Sequence, residues 1–234
     1  DVIGLQETKR DRTFEISASG YRAFFSGNSS IIKGRKGKHG VGLAIQEEIV
    51  KKAGEDGIAI ECISARLLKA RNPIKSIFVT FVVAYAPTEE APEGQKAKYM
   101  VALNCTVASV PARGYVFVLT DANARTGKRG EGGGEADSKV LGAYGRDKLT
   151  ENRKQLLGFA EDNNLALLNT FFYTPKSGVS STFQSANPSK GQARLSYILT
   201  KQADCRLIRC VNVRRPPLEA PESDHNLVYA KVRI

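Results

Sequence analysis

Eleven short runs of β-branched, aromatic or alternating apolar residues are the feature that most constrains what this chain can fold into. They fall at residues 2–5, 21–25, 41–45, 59–67, 76–85, 116–119, 165–168, 181–183, 195–199, 205–213 and 227–232, most of them bounded by Gly, Pro, Asn or Asp. Runs this short and this often interrupted read as strands. Helices are fewer, and residues 95–107 and 152–162 are the better candidates, the second with Leu156, Leu157, Phe159 and Ala160 on or near one face. Many strands with few interposed helices imply two sheets packed face to face and flanked by helices.

With 234 residues, 41% of them hydrophobic and 25% charged, the chain is long enough to bury a sizeable core, and one globular domain over residues 1–234 is expected. No apolar run reaches the roughly 18 residues that span a bilayer, and the first residues lack the basic-then-apolar order of a signal peptide. The expectation is therefore an intracellular chain without a membrane partner. Cys62, Cys105, Cys205 and Cys210 show no CxxC spacing, which favours buried reduced thiols over a zinc site or a disulfide framework.

The formal net charge of +11 points toward polyanions, because a surface this basic attracts them and loses the attraction as salt screens it. The basic residues cluster: Lys33, Arg35, Lys36 and Lys38; Arg125, Lys128 and Arg129; Arg206, Arg209, Arg214 and Arg215. Residues 125–146 also hold Gly130, Gly132, Gly133 and Gly134 among charges, which reads as a mobile loop. It does not join a strand to a helix as a phosphate-binding P-loop does.

Several polar residues stand at strand ends, where chemistry is often placed. Glu7 follows an apolar strand and offers a hard oxygen to a metal, or is a solvated turn acid. Asp121 and Asn123 follow the run 116–119, so a carboxylate and an amide can face one phosphate, although Asp-x-Asn is also ordinary turn chemistry. Asp224 and His225 precede the last strand, and His225 is one of two histidines. A histidine there can shuttle a proton or donate to an oxyanion, or it is a satisfied structural residue. His39, in a Lys/Gly loop, is expected to be exposed.

Leu5-Gln6-Glu7-Thr8, Tyr85-Ala86-Pro87, Asp121-Ala122-Asn123 and Ser223-Asp224-His225, in this order, resemble the motifs of the endonuclease/exonuclease/phosphatase superfamily. Residues 40–45 and 169–172 are further similar to the endonuclease domains of RTE-type non-LTR retrotransposons and the related craniofacial development protein family. The resemblance covers essentially the whole chain. It implies an α/β (α+β) fold, two packed β-sheets flanked by helices in a four-layer α/β/β/α sandwich of the DNase I-like type. It also implies a nuclear, Mg2+-dependent DNA endonuclease (Mn2+ being an alternative metal), with no obligate protein partner.

By the same resemblance Glu7 ligates the metal, Asp224 lies near it, and Tyr85 lies against the scissile phosphate. Asp121 orients or deprotonates the attacking water, Asn123 holds a phosphate oxygen and His225 contacts the phosphate. Asn152 and Thr182 line the DNA cleft, with Arg125 and Lys128 gripping the backbone. A small-molecule phosphatase of this fold is disfavoured by the basic balance, since dispersed cations suit a long polyanion.

Three departures from the family pattern imply lowered turnover. Ser196 stands where the family's aspartate hydrogen-bonds the catalytic histidine, so the ring loses a charged partner. Thr120 replaces the usual glycine before Asp121, which is expected to tighten a turn. Residue 1 is Asp, and the family's first strand, with its active-site asparagine, is absent from this sequence, which reads as an N-terminal truncation. The alternative function is a catalytically degenerate domain of the same fold that binds nucleic acid or a protein.

Overall fold

The computed structural model describes residues 1–27, 39–54, 57–74, 76–130, 139–145, 148–174, 179–185, 191–216 and 223–234. The basic cluster Lys33, Arg35, Lys36 and Lys38 and the glycines Gly132, Gly133 and Gly134 lie outside these residues. The chain divides into two compact units, Asp1–Ala86 with Lys96–Asp121, and Pro87–Gln95 with Ala122–Ile234.

The first unit contains β1 (Val2–Leu5), β2 (Phe14–Ala18), β3 (Tyr21–Ser26), β4 (Val41–Gln46), α1 (Glu47–Lys52), β5 (Ala59–Ser64), β6 (Leu67–Ile74), β7 (Ile77–Tyr85), the body of α2 (Glu93–Ala108) and β8 (Tyr115–Asp121). One sheet is antiparallel in the order β1-β4-β3-β2. In the other, β5, β6 and β7 are antiparallel neighbours and β8 runs parallel to β7, with Tyr85 opposite Asp121. A parallel neighbour requires a crossover, which α2 supplies.

The two sheets pack face to face through alternate residues. Val41, Leu43 and Ile45 of β4 meet Leu68 and Ala70 of β6 and Val83 and Tyr85 of β7. Period-2 alternation puts each set on one face of its strand. At one end β1 comes so near β8 that a Cβ on Gly4 would lie 2.9 Å from Leu119 Cβ, so glycine is required there. Gln6 Nε2 adds a 3.1 Å hydrogen bond to the Leu119 carbonyl, which draws the residues after β1 toward the end of β8.

The second unit holds α3 (Asn152–Asp162), β9 (Leu165–Leu167), β10 (Phe183–Gln184), β11 (Gln192–Ala193), β12 (Ser196–Lys201), β13 (Ile208–Arg214) and β14 (Leu227–Val232). β9 pairs with β12, β10 with β11 and β13 with β14, all antiparallel. α3 buries Leu156, Leu157, Phe159 and Ala160, the face its spacing indicates. Its N-terminal N–H groups are capped from a distance: Glu89 Oε1 accepts from Glu151 N at 2.7 Å and Asn152 N at 3.3 Å.

Sheets packed on one another and accompanied by helices make this a mixed α/β fold, as the strand-rich sequence indicates. Several local readings need correction. β2 is an edge strand with four of its five residues exposed, Ile16 among them, so its Phe-Glu-Ile-Ser-Ala alternation marks no buried face. The run 59–67 divides into β5 and the start of β6. β6 continues through Arg71, Asn72 and Pro73 because Pro73 pairs with Phe78, beyond the residues that β5 pairs. Residues 205–207 belong to a 3-10 turn, Gln202–Leu207, rather than to β13. At 139–145 the glycine-bearing loop is packed, not loose: Val140 and Leu141 are fully buried, and the Val140 carbonyl accepts from Leu167 N at 2.9 Å. The four cysteines are free, but none is buried; Cys105 is exposed and the others are half-buried. Among the described residues no helix is long and apolar enough to cross a membrane.

Candidate active site

In the first unit the ends of β1, β7 and β8 bring three predicted residues together. Glu7 lies two residues past β1 in the left-handed region, φ 52°, a conformation that a non-glycine residue adopts only when its surroundings impose it. They do so through Gly40, at φ 112°, whose carbonyl accepts from Thr8 N at 3.0 Å and whose N–H reaches the Ala65 carbonyl at 2.9 Å. A Cβ on Gly40 would collide with Thr8 Oγ1. So anchored, the exposed Glu7 carboxylate accepts the Tyr85 hydroxyl at 2.5 Å.

Tyr85 and Asp121 end adjacent parallel strands, and Ala86 N donates to the Asp121 carbonyl at 2.9 Å. Both side chains are buried. Two further residues gather there that sequence reasoning did not select. Arg66 lies over the Tyr85 ring, and His39 is half-buried with its ring centroid 5.9 Å from that of Tyr85, not on the exposed surface. Arg66 is held below the usual guanidinium range by burial, against the charges of Tyr85, Tyr99, Glu7 and Asp121.

Burial pushes the Tyr85 phenol well above its ordinary range, helped by its hydrogen bond to Glu7 and by the charges of Glu7 and Asp121. The fully buried Tyr99 of α2 is raised too, by burial first, with the Thr120 hydrogen bond opposing. Both phenols are protonated at neutral pH, and Tyr85 donates to Glu7. A phenol whose folded pKa lies above its unfolded value, about 10, contributes stability that is complete below that value and is lost as pH rises past it. Urea midpoints measured from about pH 8 to about pH 12 are therefore expected to hold level and then fall. A Tyr85→Phe/Tyr99→Phe variant is expected to flatten that fall.

The second unit gathers the other predicted residues. Asn123, at φ 45°, is held by Asn152, whose Nδ2 donates to the Asn123 carbonyl at 3.0 Å and the Pro87 carbonyl at 3.2 Å. Asn152 is buried, and its Oδ1 has no hydrogen-bond partner among the described residues. Arg125 is half-buried, its N–H bound to Thr150 Oγ1, and Lys128 is exposed. Ala122 N donates to the Leu195 carbonyl at 2.8 Å, which sets the Asn123 loop beside the start of β12.

Ser196 Oγ lies 3.1 Å from His225 Nδ1, and the Phe183 ring stands edge-on to the imidazole at 5.2 Å. Thr182 is fully buried, and its Oγ1 accepts from both Leu195 N, 2.7 Å, and Ser196 N, 2.9 Å. Asn226 N donates to the Thr182 carbonyl and Gln184 N to that of Asp224, both at 2.8 Å, so Thr182 braces Ser196 and His225 alike. The Asp224 side chain is exposed.

No family model matches the chain. Craniofacial development protein 2 of Bos taurus is 24% identical over 234 residues, which are 100% of this chain and 36% of that protein. The chain spans little more than a third of the length of the curated relatives it matches. A 3′ phosphatase, NExo from Neisseria, solved bound to product DNA hairpin, superposes with a TM-score of 0.65 at 17% identity, covering 100% of this chain and 89% of its own. The endonuclease domain of TRAS1, a telomere-specific non-LTR retrotransposon, superposes with a TM-score of 0.57 at 18% identity, covering 93% and 82%. The chain has a mixed α/β fold of the DNase I-like type.

Ser196, which the sequence resemblance sets in place of an aspartate, meets the His225 ring with a hydroxyl and so without a charge. Thr120 is no turn residue. It is buried inside β8 and bonds the Tyr99 hydroxyl, which fastens α2 to the sheet. The glycine-to-threonine departure therefore has a packing reason within this chain.

Proposed function

We propose that the chain is a Mg2+-dependent phosphodiester hydrolase domain acting on DNA, an endonuclease of non-LTR retrotransposon descent with lowered turnover. The observation that carries this reading is the convergence of Glu7, Tyr85 and Asp121 at the ends of three strands, two of those side chains otherwise buried. The donor set suits magnesium, which is commonly held through one or two carboxylates with the rest of its shell left to water and substrate oxygens. Among the described residues no three of His, Cys, Asp and Glu come together, so a closed, all-protein cage is not the pattern here.

By the sequence resemblance, Glu7 and Asp224 are the residues proposed to ligate the metal. The chemistry supplied by a bound Mg2+ is charge neutralisation on the phosphoryl oxygens. Asp121, desolvated beside Tyr85, orients the attacking water and takes its proton. Asn123 donates to a phosphoryl oxygen, and His225 presents its second ring nitrogen to the phosphate while Ser196 engages the first. Arg125 and Lys128 hold the DNA backbone without reading sequence. Asn152 and Thr182 serve the same surface by fixing the Asn123 loop and the Ser196–His225 pair.

A second reading, a domain that binds nucleic acid without cleaving it, is favoured by one observation, the neutral partner at His225. Supercoiled plasmid incubated with the purified chain separates the two. Nicking with Mg2+ that stops with chelator is the expected result; salt-sensitive binding without nicking would establish the second reading instead.

A further inference from the structure

We propose that Arg66, backed by His39, is a positioning residue that fixes Tyr85 and, through its hydroxyl, the Glu7 carboxylate. The inference rests on the proposed nuclease reading for its functional meaning, but its structural content does not. Arg66 holds Tyr85 on three sides. Its carbonyl accepts the Tyr85 N–H at 2.9 Å, its NH1 donates to the carbonyls of Tyr85 and Ala86 at 3.1 Å each, and its guanidinium carbon lies 4.8 Å from the ring centroid.

The far side of the fork meets His39. Arg66 NH2 is 3.2 Å from His39 Nε2, and because a guanidinium only donates, Nε2 is the acceptor and the ring carries its proton on Nδ1. His39 thereby holds the guanidinium while its own ring leans on Tyr85 at an interplanar angle of 58°. The next residue, Gly40, is the one whose carbonyl anchors Thr8 beside Glu7. One short segment thus supports both ends of the Tyr85–Glu7 hydrogen bond.

A planar fork is needed for this task. NH1 serves two carbonyls while NH2 reaches an imidazole, a spread of directions that a lysine ammonium on a flexible stem cannot hold while also lying flat on a ring. Charge alone is not the requirement, which makes Arg66→Lys the informative variant. Misplacement of a reacting group by about 1 Å costs on the order of 10²-fold in rate. Arg66→Lys is accordingly expected to lower kcat for plasmid nicking by about 10²-fold with little change in KM for DNA or in its salt dependence.

A double-mutant cycle with Tyr85→Phe tests the route. If Arg66 acts through Tyr85, Arg66→Lys in the Tyr85→Phe background costs little more than Tyr85→Phe alone. The chain has eight tyrosines and no tryptophan, so near-ultraviolet circular dichroism provides a readout that needs neither metal nor turnover. Arg66→Lys is expected to change the tyrosine band in the parent chain and to leave it unchanged in the Tyr85→Phe background. His39→Gln, which keeps an acceptor, is expected to retain the band better than His39→Ala. A raised KM with a shallower salt slope would make Arg66 a phosphate contact and overturn the proposal, as would additive spectral effects in the cycle. A parent chain that does not nick would remove the nuclease reading and leave the spectral cycle decisive.

Discussion

Glu7→Gln is expected to lower Mg2+-dependent nicking by about 10²- to 10³-fold, the scale on which loss of one preorganised electrostatic contact acts. The substitution keeps the length of the side chain and an oxygen that can accept the Tyr85 hydroxyl, so the 2.5 Å contact has a successor and only the charge is removed. Glu7 is exposed and makes no ion pair among the described residues, so thermal stability is expected to move little. A metal ligand has one further signature. Residual activity in the variant should require more Mg2+, and a titration that superposes on that of the parent chain would exclude Glu7 from the metal site.

Tyr85→Phe is the natural comparator, since it removes the donor and leaves the charge. Burial keeps the phenol protonated at neutral pH, so Tyr85 acts as a hydrogen-bond donor and not as a base. A loss in Tyr85→Phe much smaller than in Glu7→Gln would assign the larger part of the effect to the carboxylate itself.

What the sequence made legible follows from where burial is written. β4, β7 and β8 carry apolar residues on faces that are buried, and their limits lie close to those read from the runs. Glu7, Asp121 and His225 were visible because each is a polar residue at the edge of such a run. β2 and the end of β6 were not, since one is solvated and the other mixes Arg71, Asn72 and Pro73 with its apolar positions. Arg66 and His39 left no local mark at all. The first contacts carbonyls 19 and 20 residues away and a ring 27 residues away, a geometry that exists only once β4, β6 and β7 are assembled. Glu89 is similar: it caps a helix more than 60 residues further on.

The same distinction bears on Ser196, whose type was legible and whose setting was not. Its N–H is held by Thr182 Oγ1 and its carbonyl accepts from Asn169 Nδ2 at 3.1 Å, so the backbone is clamped on both sides and the side chain is aimed at His225 Nδ1. A hydroxyl in that place can donate to the ring or accept from it, and so permits either tautomer. A carboxylate only accepts. It would hold the proton on Nδ1, leave Nε2 to meet the phosphate, and stabilise an imidazolium with its charge.

Ser196→Asp is therefore expected to raise Mg2+-dependent nicking by about 10²-fold, the usual range for a general acid-base group brought into working order. Where a carboxylate orients a catalytic imidazole in serine proteases, its conversion to the amide costs as much as about 10⁴-fold, which sets the upper bound. Ser196→Asn separates charge from size: it adds the same bulk with no charge and is expected to gain little. The half-buried position has room to hydrate the new carboxylate, so a loss of stability should be slight and is checked by the urea midpoint. Equal nicking by Ser196→Asp, Ser196→Asn and the parent chain, at unchanged stability and DNA binding, would mean that the neutral partner at His225 is not what limits turnover.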